Sequence, residues 1–149
     1  MKKAISLLLL FSLIFLVSCK KTMSAYEIAH SFCEAYPLES KVYSSLRTQD
    51  EEGYIDDEML TALYGTTDLA TDEFALVLYG KVNIVREFGV FITRNSDERM
   101  KITKLATDRI SFLSSFAKGE GFIKKYRNVT VYGFVEDAAR AEGLLDSLI

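Results

Sequence analysis

The chain has 149 residues, 49% hydrophobic and 26% charged, with a formal net charge of −3, one His, two Cys and no Trp. This composition excludes a largely disordered chain, and its acidic balance does not suit a nucleic-acid binder. A single His and few thiols withhold the raw material of most metal and nucleophile sites.

Lys2 and Lys3 make a short positive leader, followed from Ala4 to Val17 by an apolar run of fourteen residues interrupted only by Ser6 and Ser12. That run is too short for a stable membrane-spanning helix and has the form of an export signal over residues 1–18. Its end, Leu16-Val17-Ser18-Cys19, resembles the lipobox of bacterial lipoproteins. The resemblance implies that the Cys19 thiol receives a diacylglyceryl group, that the signal is cut before it, and that Cys19 becomes the mature N-terminus. The partner would then be the membrane itself, reached from the extracytoplasmic side of the cell membrane. Two acyl chains, at about 0.8 kcal/mol per buried CH₂, give durable anchoring. Without its leader the chain keeps 16 basic and 21 acidic residues, a charge of −5, and about 46% apolar residues, ordinary for one packed domain. Lys20 and Lys21 can each gain about 1 kcal/mol from anionic headgroups. The tether, residues 19–23, places at most about 14 Å of extended chain after Cys19.

Ser24-Ala25-Tyr26-Glu27 has the form of a capping box and opens a helix to about Tyr36, stopped by Pro37, with Ala25, Ile28, Ala29, Phe32 and Tyr36 on one face. Residues 38–53 read as a polar loop with a short extended piece at Lys41 to Leu46. Asp56 caps a short helix carrying Met59, Leu60 and Leu63 and stopped by Gly65. Phe74 to Tyr79, six apolar residues in a row, reads as a strand buried on both faces. Glu87 to Arg94 alternates, with Phe88, Val90 and Ile92 opposed to Gly89, Phe91 and Thr93. Asn95-Ser96-Asp97 caps the longest helix, whose apolar stripe is Ile102, Leu105, Ala106, Ile110, Leu113 and Phe116. After Gly119-Glu120-Gly121 and a basic stretch at Lys124, Lys125 and Arg127, Val129 to Val135 alternates, and Asp137 caps a last helix.

These elements, in the order ααββαβα, predict an α+β domain over residues 24–149, a small and mostly antiparallel sheet of about three strands with about four helices. The long helix between the last two predicted strands leaves room for a parallel crossover. Leu63-Tyr64-Gly65, Asp72-Glu73-Phe74-Ala75, Asp108-Arg109-Ile110 and Val131-Tyr132-Gly133-Phe134 together resemble the uncharacterised lipoprotein family called domain of unknown function 4358. The resemblance implies a similar size, lipobox and element order over Ala25 to Ile149, and transfers no activity, cofactor or catalytic residue.

Several constellations have bland readings. His30 and Cys33 share a helix at a three-residue step, but nothing supplies the other half of a metal site, so they read as a surface His and a core thiol. Asp50-Glu51-Glu52, Asp56-Asp57-Glu58 and Asp72-Glu73 read as a solvated loop, a helix start and a strand entry rather than acid–base pairs. Arg109 falls inside the apolar stripe of the long helix, either a ligand-binding cation or a snorkelling or carboxylate-paired side chain. Phe91, Tyr132 and Phe134 gather on one sheet face, with Gly89 and Thr130 leaving room beside them. Either the first two helices cover that face through Phe32, Tyr36 and Leu60, or part of it remains as a recognition groove, while the aliphatic face packs under the long and last helices. No catalytic residue, cofactor or metal is expected. The sequence reads as a non-enzymatic binding module at the cell envelope for an unknown envelope protein or small ligand. A solute-binding lipoprotein of an importer is the alternative, and an envelope hydrolase a weaker one.

Overall fold

The computed structural model describes residues 22–36, 40–81 and 84–149, so the export signal, Cys19 and Lys20-Lys21 lie outside the described residues. Four helices and five strands alternate as α1 (Ala25–Ala35), β1 (Lys41–Ser44), α2 (Asp57–Tyr64), β2 (Glu73–Lys81), β3 (Ile84–Ile92), α3 (Ser96–Ser114), β4 (Glu120–Tyr126), β5 (Val129–Val135) and α4 (Ala138–Leu148). Each helix begins where a short polar side chain meets an orphan backbone N–H. Ser24 accepts from Glu27 N at 3.1 Å while Glu27 reaches back to Ser24 N at 2.8 Å. Asp56, Asn95 and Asp137 likewise cap α2, α3 and α4. Gly65 ends α2 at φ +72°, the left-handed region where a side chain is costly.

The sheet is antiparallel throughout, in the order β1-β2-β3-β5-β4. The expected α+β class and antiparallel sheet are observed, but with five strands instead of three, in the order αβαββαββα. The short extended piece at Lys41 is an edge strand on β2, and Lys124 and Lys125 of the basic stretch belong to the other edge strand, β4, with Arg127 in the turn that follows. The last two predicted strands, β3 and β5, pair antiparallel rather than parallel, with Val90 opposite Val131. The crossover through α3 leads instead to β4, and the tight β4–β5 hairpin returns the chain between β3 and β4.

Helices cover both faces. On one, α1 and α4 bury Ile28, Ala29, Phe32, Ala141 and Leu145 against Ala75, Val77, Phe88, Val90, Val131 and Val135. Arg140 stacks over the Tyr36 ring at 5.1 Å, tying the two helices together. On the other, α2, α3 and their flanking loops bury Leu60, Ile102 and Ala106 against Phe74, Leu76, Phe91 and Tyr132. The second and last helices lie on the faces expected of them, but the other two are exchanged: the long helix lies on the aromatic face and the first helix on the aliphatic one. Phe116, assigned to the helical stripe, lies past the end of α3 and is exposed.

Candidate functional site

Of the two readings of the aromatic face, the covered core layer is observed and the candidate binding surface at Phe91, Tyr132 and Phe134 is not. Phe91, Tyr132 and Phe134 are each 0% exposed. The room beside them is filled by the rings themselves, since a Cβ on Gly89 would come within 2.4 Å of the Tyr132 ring and 2.9 Å of Phe91. The face is a second core layer, with Phe91 and Tyr132 stacked at 6.0 Å between centroids.

What remains of that site is polar. Period-two alternation in β3 puts Glu87 on the same inward face as Gly89 and Phe91, and its side chain is 2% exposed. Arg109, on the inward stripe of α3, is 10% exposed and meets it edge-on, with Nε donating to Oε1 at 2.8 Å and Nη2 to Oε2 at 2.6 Å. The Tyr132 hydroxyl also donates to Glu87 Oε1. Because that proton is committed, the 2.6 Å contact between the Tyr64 and Tyr132 hydroxyls has Tyr64 as donor. Arg109 Nη1 donates in turn to the Leu63 carbonyl at 3.2 Å. The consecutive residues Leu63 and Tyr64 are thus both bound into the cluster, and a carbonyl in the last turn of α2, which lacks an intrahelical partner, receives a cation's hydrogen bond.

Burial pushes both phenols up from their ordinary value of 10, reinforced at Tyr64 by the Glu87 charge and at Tyr132 by Tyr64 and Glu87. Such hydroxyls are poor bases at neutral pH and act here as hydrogen-bond donors. Burial alone would depress the Arg109 guanidinium, but its hydrogen bonds to Glu87 and the charge they carry raise it further. The cluster holds charge and orientation; it presents no activated nucleophile.

Beside it, between the end of α2 and the outer side of α3, runs a groove of about 530 Å³ bordered by Leu63, Tyr64, Lys101, Leu105, Arg109 and Phe112. Of the sequence candidates, only Arg109 reaches it directly, and Tyr132 sits behind it through Tyr64. Glu87 and Tyr64 were missed. The signal for Glu87 was present in the alternation, as an acid two residues from Gly89 on the inward face. Nothing in the sequence alone pairs α2 with the middle of α3.

His30 is exposed, with Nδ1 3.8 Å from Glu34. Cys33 is half-buried with Sγ 3.6 Å from Ser40 Oγ, and burial raises its thiol. The acidic runs have structural partners: Asp56 caps α2, Asp72 lies 2.7 Å from Arg94, Glu51 accepts from Thr48, and Glu73 accepts from Ala25 N at 2.5 Å. Among the described residues no three His, Cys, Asp or Glu side chains gather as a metal site, and no helix is long and apolar enough to cross a membrane. No family model, curated protein or solved structure matches the chain, so the likeness to domain of unknown function 4358 stands on the residues quoted for it alone.

Proposed function

We propose that the chain is a lipid-anchored extracytoplasmic module that binds a ligand or partner at the cell envelope and performs no catalysis. The observation that carries the reading is the run from Lys2 through the apolar segment to Leu16-Val17-Ser18-Cys19, followed within five residues by the Ser24 capping box that opens α1. An anchor so close to a fully built helix start suits a domain held against a membrane surface, and the groove beside Arg109 supplies a place for recognition. The test is Cys19→Ala in cells fed an alkyne fatty acid. Loss of label, with either accumulation of the precursor or release from the membrane fraction, supports the anchor; equal processing and equal membrane retention would remove it. Crosslinking of the anchored protein in its own membrane then separates the alternatives. A captured envelope protein supports the interaction module, a retained small solute points to an import system, and turnover of a wall or peptide substrate points to an envelope hydrolase.

A further inference from the structure

We propose that the groove between α2 and α3 binds a small organic monoanion, a carboxylate carried on an apolar or aromatic body. The inference deepens the binding role just proposed and rests on it only for biological setting, because its geometry is independent of Cys19.

The carboxylate preference follows from Arg109. A guanidinium has five N–H donors. Nε is spent on Glu87, one N–H of Nη2 on Glu87 and one of Nη1 on the Leu63 carbonyl. One N–H on each terminal nitrogen is left uncommitted on a side chain only 10% exposed that borders the groove. Spare guanidinium donors favour an oxyanion, and Glu87 already holds the guanidinium in one orientation, so little side-chain freedom is lost on binding.

The charge count sets the ligand at one negative charge. Lys104 is matched by Asp108 at 2.6 Å, and Arg109 by Glu87. Lys101, one helical turn before Lys104 and Leu105, makes no ion pair among the described residues. The groove thus has one surplus positive charge in a chain whose formal charge is −3. A free phosphate or polyanion would be undercompensated there.

The apolar body is called for by the walls. Leu63 and Leu105 flank the floor, and Phe112, 57% exposed, stands at one end with the Arg109 guanidinium 5.4 Å from its ring centroid. Lys101 and Phe112 are eleven residues apart on α3, roughly 16 Å along the axis. A volume near 530 Å³ falls in the range of small-molecule sites, about 300–1,000 Å³.

The experiment is calorimetric titration of the full lipidated chain in phosphatidylcholine nanodiscs with phenylacetate, hexanoate and inorganic phosphate. One-site saturable binding of phenylacetate or hexanoate is expected, with phosphate at least about tenfold weaker. Phe112→Ala should weaken binding about tenfold, and Lys101→Gln, about 12 Å along α3 from Arg109, less than about twofold. Both positions are on the outer side of α3, so these variants keep the fold, whereas an Arg109 variant would strand Glu87. Absence of saturation at millimolar probe, unchanged affinity in Phe112→Ala, or phosphate binding as tightly as the carboxylates would each overturn the proposal. Membrane retention without probe binding removes the groove and leaves the anchored module standing; probe binding by a protein that Cys19 does not retain removes the anchor and leaves the groove.

Discussion

The two faces of the sheet are built from the same strands and solve different problems. Under α1 and α4, Phe32 lies on Phe88 with centroids 4.0 Å apart and planes 3° from parallel, among Ala and Val side chains, and Arg86, the charged residue that β3 turns to this side, reaches away to Glu136 and the Lys118 carbonyl. Under α2 and α3, one residue along β3, an equally buried ring cluster encloses a carboxylate, a guanidinium and two phenols. Taking a charge pair out of water costs several kcal/mol per ion and is often no better than an apolar replacement, so stability does not account for Glu87 and Arg109. Their directional bonds instead fix the end of α2, residue by residue, against α3. The dry face stabilises the domain, and the polar face sets the shape of the groove.

The sharpest way to break this contrast is to remove one charge. Arg109→Met leaves Glu87 buried and unpaired and should cost about 3 to 5 kcal/mol in denaturant unfolding, similar to Phe88→Ala on the dry face at about 3 to 5 kcal/mol. The repair should differ. Adding Glu87→Leu to Arg109→Met should recover most of the loss, because the stranded charge disappears, while the cavity left by Phe88 has no single compensating partner. A double variant as unstable as Arg109→Met alone would show that the pair holds the fold rather than the groove.

Phe91→Ala tests whether the aromatic side is a core, and should cost about 3 to 5 kcal/mol as a buried ring truncation; a loss below about 1 kcal/mol would restore the surface reading. Tyr64→Phe should cost about 1 kcal/mol through its hydrogen bond to Tyr132 and soften the response to alkali. With folded values raised above the ordinary 10, Tyr64 and Tyr132 contribute stability that is complete below pH 10 and is lost as the pH rises above it, because the unfolded phenols ionise first. Removing Tyr64 should make that loss shallower in a pH series of melting curves. Thr130 Oγ1 is buried without a partner among the described residues, so Thr130→Val should raise stability by about 1 kcal/mol. The smallest effect belongs to Asp146, held low by its hydrogen bonds from Lys124 and Tyr126. That contribution is present above the ordinary carboxylate value of 3.8 and fades as pH falls through the lower folded value, so Asp146→Asn should flatten the acid limb of the melting series slightly.

How much of this was legible varies with the kind of signal. Ser24, Asp56, Asn95 and Asp137 are caps in the structure because capping is local, decided within three residues. The alternation of β3 and β5 also survived intact, since side-chain direction in a strand needs no knowledge of neighbours. Strand β4 escaped because Lys124 and Lys125 read as a solvated stretch, whereas Lys124 extends along the sheet to ion pairs with Glu142 and Asp146 of α4. The exchange of helices between faces was out of reach for a different reason. Periodicity says which residues of Phe91, Tyr132 and Phe134 point together, but not whether α1 or α3 lies over them. Arg109 could be weighed as a carboxylate-paired residue, yet its partner 22 positions earlier emerged only once β3 and α3 were placed together.

The hydrogen bond from Ala25 N to Glu73 fixes where the chain joins the body. Glu73 pairs with Ile92 at one end of the sheet, the end from which α3 departs. Phe112 lies sixteen residues further along that helix, some 24 Å away. On the anchor proposed above, that end of the sheet is where the tether would meet the domain, and α3 carries the groove away from it along its own axis. A ligand of the groove would then approach the flank of the domain and not its tethered end.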